Sequence, residues 1–223
     1  MNGILNLNKP AGISSAAAVS RIKRLLPRGV KIGHAGTLDP FATGVLVLLI
    51  GKATKLCEKL MDETKQYEAT VRLGATTPTL DPTSEEEIDS NAKPVAREKI
   101  ESALQKFIGE IQQSPPVYSA LKVGGRVAYA RARDGEEVVL EARKIHIYGI
   151  ELVRYEWPLL EIRVDCGRGT YIRSLARDVG ETLGTKGYLT ALKRTAVGQF
   201  HIQNALTIEN LQSEGIASFL QQL

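Results

Sequence analysis

The run VLVLLI, Val45 to Ile50, constrains the fold more than any other stretch of the chain. Six consecutive aliphatic residues make the run a candidate for a buried strand. The run is too short to cross a bilayer, for which about 20 apolar residues are needed. Other layers must therefore come to it, and 223 residues suffice to bury a substantial core in roughly one or two domains.

The remaining periodicities predict those layers. In SSAAAVSRIKRLL, Val19, Ile22, Leu25 and Leu26 recur at helical spacing behind a Ser15 cap, and Pro27 closes the helix. YEATVRLG alternates Tyr67, Ala69, Val71 and Leu73 with polar residues, the period of a half-buried strand. Pro94 opens a second helix in which Ile100, Leu104, Phe107 and Ile108 share a face, with Gly109 able to end it. IHIYGIELV and LLEIRVDCG are strand patterns; TYIRSLARDVGETLG is a helix with Ile172, Leu175, Ala176, Val179 and Leu183 toward a core and Arg173 and Arg177 on another side. Helices and strands mix without regular βαβ alternation and without internal repeats, which predicts an α+β fold. The stretch from about 112 to 143, broken by Pro and Gly and carrying five basic residues interleaved with Tyr118 and Tyr129, is expected to be a surface excursion that contacts something.

Net charge is only +4, but its distribution is uneven. Among the first 55 residues, eight Lys or Arg face one carboxylate, Asp39, whereas DPTSEEEID (residues 81–89) is acidic. Such an imbalance permits a polyanionic partner. Cys57 and Cys166 belong to no ligand spacing and are expected to be reduced thiols, as in a cytosolic protein. MNGILNLNKP lacks the charged start and apolar segment of a signal peptide, so a soluble cytoplasmic protein without membrane attachment is expected.

Several chemistries fail on spacing. Gly44 lies too far before Gly51 for a phosphate-binding GxxxxGK[ST] loop, and Ala53 stands where a hydroxyl is required. No GxGxxG or GxSxG occurs, and His34, His146 and His201 are too dispersed to suggest a metal site. Asp39 is the informative carboxylate. A turn or capping role before Pro40 is the commoner fate of an Asp-Pro. Here Gly33, Ala35, Gly36 and Gly44 allow close backbone approach by a ligand, and the electropositive setting keeps the carboxylate ionised, as a nucleophile or base requires. Arg173 is either a solvated helix residue or a two-pronged partner for a carboxylate. Tyr67 is either a core residue or a ring that stacks on a flat base while its hydroxyl handles a proton.

NLNKPAGISS, GHAGTLDPFATGVLVLLIGKATK, KQYEATVRLGATTPTLD, SPPVYSALKVGGRVAYARARDG, GTYIRSLARDVG and LTALKRTAVGQF, taken in order, resemble the motifs of the TruB family of tRNA pseudouridine synthases, with Asn8 where the family usually has Asp. The resemblance implies a pseudouridine-synthase catalytic fold, a mixed and largely antiparallel sheet flanked by helices, forming one domain over residues 1–223 with an RNA-gripping insertion. It implies conversion of uridine to pseudouridine in the tRNA T loop, position 55, with no cofactor, no metal and no obligatory protein partner. By motif, Asp39 would be the nucleophile or base, Tyr67 would stack on the target base and assist proton transfer, and Arg173 would pair with Asp39. His34 would meet the RNA near the flipped uridine, Lys9 and Pro10 would wall the catalytic loop, and Leu192 would line the pocket. Tyr118, Lys122 and Arg126 would contact RNA from the insertion. Many bacterial members continue into a small PUA domain, whereas this sequence ends at Leu223, so weaker binding to the acceptor end of tRNA is expected. Two further readings stay open: a guide-RNA-dependent pseudouridine synthase, and a non-catalytic RNA-binding protein on the same fold.

Overall fold

The computed structural model describes residues 1–221, with Lys122, Val123 and Glu214 described through their backbone alone. In chain order the elements are β1 (Gly3–Lys9), α1 (Ser15–Lys23), β2 (Ile32–His34), β3 (Thr43–Ile50), α2 (Cys57–Asp62), β4 (Lys65–Leu73), β5 (Ala75–Thr76), β6 (Glu87–Ile88), α3 (Arg97–Gln105), β7 (Gly109–Gln113), β8 (Lys122–Val123), β9 (Arg126–Val127), α4 (Ala128–Arg133), β10 (Arg143–Glu156), β11 (Leu159–Cys166), α5 (Ile172–Leu183), β12 (Gly187–Val197), β13 (Phe200–His201) and α6 (Ile208–Glu214). They form two compact units, Met1–Glu68 with Leu192–Leu223, and Ala69–Ala191. The chain passes from one to the other within β4 and returns within β12.

In the first unit β3 is the aliphatic strand, and it is covered on both faces. Leu46, Leu48 and Ile50 pack with Leu5 and Leu7 of β1, Ala18 and Ile22 of α1, and Ile208 and Leu211 of α6. Val45, Val47 and Leu49 face the opposite way, onto Ala35, Ala53, Leu60, Val197 and Phe200. Each fully buried aliphatic side chain contributes about 1.5–3 kcal/mol, so this strand anchors its unit. β1 pairs antiparallel with one edge of β3, from Gly3↔Ile50 to Lys9↔Gly44. β2 takes the other edge near Ile50, antiparallel, and β12 takes it near Gly44, parallel.

The second unit has strand order β4-β11-β10-β7, with β10 antiparallel to both its neighbours. The alternation in β11 holds: Leu160, Ile162, Val164 and Cys166 are buried. In α5, all five apolar residues expected to face the core are buried, and Gly184 caps the helix in the left-handed region. α3 packs against α5 and β10.

The boundaries differ from expectation in three places. Ser14, not Ser15, caps α1, its hydroxyl accepting from Ala17 N; Ser15 turns inward. The second helix begins at Arg97 rather than Pro94 and ends before Ile108, which is exposed, because the chain must extend into β7. The excursion starts after Gln113, whose pairing with Arg143 closes its base. Both cysteines are free thiols, and among the described residues no helix is long and apolar enough to cross a membrane.

Candidate active site

Asp39 lies on the connection from β2 to β3, half-buried, in a turn in which Ala42 N donates to Asp39 O at 3.2 Å. The turn is held from several sides. The Ser15 hydroxyl, fully turned in from the start of α1, donates to Leu38 O at 2.9 Å and accepts from Leu38 N at 2.8 Å. Gly12 N donates to Pro40 O at 2.8 Å. Lys9 at the end of β1 is completely buried and sends its Nζ to Pro10 O and Ile13 O, both at 2.8 Å, and to Pro40 O at 3.3 Å. Burial lowers the Lys9 ammonium to about 8, opposed by the Asp39 carboxylate and reinforced by Arg194.

Sequence reasoning missed Arg194. It is among the largest fully buried side chains, 1% exposed, in β12. Its Nε donates to Val45 O at 2.7 Å, Nη2 to Gly36 O at 3.1 Å, and Nη1 to Thr37 O at 3.3 Å and to the Tyr67 hydroxyl at 3.4 Å. The guanidinium carbon lies 6.0 Å from the Tyr67 ring centre. A signal existed: in LTALKRTAVGQF, Arg194 occupies the same strand face as Leu192 and Ala196, both buried. An Arg in a core position needs acceptors, and the nearby loop carbonyls supply them.

Gly44 also acts differently from expectation. Its smallness serves β12 rather than a ligand, since a Cβ there would lie 2.2 Å from Arg194 O, and its φ is +106°. Gly36, at φ +95°, turns the chain so that its carbonyl meets Arg194.

The first unit thus contains Asp39, Lys9, Tyr67, His34 and Leu192, together with the unforeseen Arg194. Tyr67 is buried in β4 and Leu192 in β12; Pro10 is exposed, with its carbonyl taken by Lys9. His34 at the end of β2 has a buried Nδ1 without a hydrogen-bond partner among the described residues. Burial, and then Arg194, lower its pKa, so the ring is held neutral.

Arg173 and the insertion belong to the second unit. Arg173 is buried, not solvated; its Nη1 donates to Thr79 O at 2.9 Å and lies 3.4 Å from Asp81 Oδ2, and its Nη2 donates to Tyr118 O at 3.0 Å. It therefore ties the base of the excursion to α5, as does the Ser174 hydroxyl, which donates to Ser114 O at 2.8 Å. Arg126 is exposed and pairs with Asp134 at 2.6 Å and Glu136 at 2.9 Å. The side chain of Lys122 lies outside the described residues.

Comparison with known proteins places the chain in a family. The model of the N-terminal domain of TruB family pseudouridylate synthases matches residues 23–172, and that of the tRNA pseudouridylate synthase B C-terminal domain matches 173–220. The chain is similar to the tRNA pseudouridine synthase B of Phocaeicola vulgatus, with 47% identity over 93% of this chain and 90% of that one. It is also similar to the one of Clostridium tetani, with 42% identity over 99% and 76%. Among solved structures, a Cbf5-Nop10-Gar1 complex gives a TM-score of 0.73 at 30% identity, covering 97% of this chain. An H/ACA RNP bound to a substrate RNA containing 2'-deoxyuridine gives 0.69 at 28%, covering 96%. The chain spans only 57% and 56% of the length of those two chains. With a buried Tyr67, a braced Asp39 turn and family models matched along nearly its whole length, the chain belongs to the TruB family of pseudouridylate synthases.

Proposed function

We propose that this chain isomerises uridine to pseudouridine at position 55 in the T loop of tRNA, acting in the cytoplasm without a protein partner or guide RNA. The reaction breaks the bond from ribose C1' to uracil N1, turns the base, joins C1' to C5, releases the C5 hydrogen and leaves a hydrogen on N1. Electrons balance without redox change or hydrolysis. The target base is stacked inside a folded loop, and extruding it costs a few kcal/mol, offset by contacts to the loop and its phosphates. Asp39 serves as the nucleophile or base, Tyr67 stacks on the flipped uracil with its hydroxyl toward proton work, and Arg173 is the basic residue of the reaction. His34 meets the RNA near the flipped uridine, Lys9 and Pro10 wall the catalytic loop and Leu192 lines the pocket, while Tyr118, Lys122 and Arg126 grip the T arm.

The observation that carries this reading is the Asp39 turn itself, whose flanking carbonyls are engaged by two buried cations. A surface turn would have water for those carbonyls. Two charges are taken out of water at a cost of several kcal/mol, and the Asp39 carboxylate receives the resulting field. The test is tritium release from an unmodified tRNA transcript labelled at uracil C5, with the purified chain alone. Release that disappears when the T-loop uridine is replaced upholds the proposal. Release that requires an added guide RNA or protein transfers the chain to the guide-dependent reading, and binding without release makes it an RNA-binding protein.

A further inference from the structure

Lys9 and Arg194 are both paired in register with Gly44, Lys9 from β1 and Arg194 from β12. Residues opposite one another across neighbouring strands project on the same face, so the two cations rise from the sheet on either side of Gly44. Lys9 takes Pro40 O on one side of Asp39, and Arg194 takes Gly36 O and Thr37 O on the other. Arg194 also takes Val45 O beyond the loop, and its remaining geometry reaches the Tyr67 hydroxyl, which accepts from it. An accepting hydroxyl keeps its own hydrogen directed away from the donor.

We propose that Arg194 is a positioning residue for the reaction, setting the Asp39 loop and the Tyr67 hydroxyl in one rigid frame and turning the hydroxyl hydrogen of Tyr67 outward. The proposal rests on the assignment of Asp39 and Tyr67 to the chemistry. The planar fork matters rather than the charge alone: three guanidinium nitrogens reach two loop carbonyls, the strand carbonyl and the phenol in fixed directions, whereas an ammonium on a flexible stem cannot address all four. A frame of this kind acts on the bound substrate's reaction rate and leaves tRNA affinity to other groups, because Arg194 is buried and presents nothing to solvent.

The experiment uses the full chain carrying Arg194→Lys, with thermal melting, tRNA affinity by filter binding, and single-turnover tritium release with all tRNA bound. The expected result is a cooperative melt, tRNA affinity within about threefold of the parent, and a rate per bound tRNA lower by about 100-fold, the scale that a displacement of about 1 Å in a reacting group produces. A rate per bound tRNA within threefold of the parent overturns the proposal. So does a loss confined to affinity or melting temperature, which is what a purely structural residue gives. If Arg194→Lys does not fold, Arg194→Gln takes its place; if neither folds, Arg194 is a folding element and the proposal falls. Asp39→Asn is measured alongside: turnover by that variant defeats the catalytic assignment itself, independently of what Arg194→Lys does.

Discussion

The Asp39 loop and the excursion at 114–142 use the same residue types to opposite ends. In the loop, cations are buried and spend their donors on backbone carbonyls, so that each hydrogen bond fixes the main chain. In the excursion, Arg126 and Arg131 bond to Asp134 and Glu136, side chain to side chain and largely in water. The hairpin of β8 and β9 and the short α4 bury Ala128 while Tyr129 and Val139 remain exposed. The first arrangement holds one geometry; the second can exchange an acidic partner for a phosphate at little cost, since exposed ion pairs are worth about 0–1 kcal/mol. A reacting group and a gripping surface need these two different kinds of order.

The largest expected effect breaks the comparison outright if it fails. Asp39→Asn lowers single-turnover tritium release by on the order of 10⁴-fold or more while tRNA affinity stays within about threefold; near-parental turnover would remove the loop from the chemistry. Next come two glycines with positive φ, one in each region. Gly44→Ala drives a Cβ to 2.2 Å from Arg194 O, whereas at Gly125 (φ +84°) nothing among the described residues lies within 4 Å. Urea unfolding should show a loss of about 3 kcal/mol or more for the first and only about 1 kcal/mol for the second; equal losses would mean that the loop is no more tightly determined than the hairpin.

Lys9 supplies a pH signature. Its folded pKa of about 8 lies below the usual 10.5, so between these values the unfolded chain binds a proton that the folded chain does not. Stability therefore rises with pH across that window, relative to Lys9→Met, by at most about 1.4 kcal/mol per pH unit. Parallel unfolding curves for the two proteins from pH 8 to 10 would show that Lys9 is not held in low dielectric. Ser15→Ala strips both partners from the buried Leu38 backbone and should cost about 1–3 kcal/mol by denaturant titration; a cost below a few tenths would show the turn held by other bonds. Least affected is Arg126→Ala, with an unchanged rate on bound tRNA and an affinity loss of about two- to fivefold that fades as salt is raised. A rate loss there would place the excursion within the reaction.

Much of this was legible from periodicity. VLVLLI reads as a buried strand, and YEATVRLG and LLEIRVDCG as alternating ones, because each pattern has few ways to hide its apolar side chains; that both faces of VLVLLI are covered came from the structure. Asp39 stood out by isolation in charge, Tyr67 and Arg173 were candidates by residue type with the commoner fates left open, and Lys9 and the other site candidates came through resemblance of whole motifs. Arg194 escaped because a charged residue in a strand is expected at the surface. Ser15 was misplaced as a cap because two adjacent serines compete for one position, and local sequence does not say which faces inward. Ile108 shares a helical face with Leu104 by spacing, yet the chain leaves the helix first to enter β7.

The order of residues alone marked a buried strand, located the lone carboxylate and, through its motifs, pointed to the family. That Lys9, Gly44 and Arg194, far apart in the chain, stand side by side in register, and that Gly44 is small for the sake of a neighbouring strand, emerged from the fold. The physical reason is that periodicity is a local property, set by how one segment hides its own side chains. A buried cation finds its acceptors only after separate strands have aligned, and no window of sequence contains both partners.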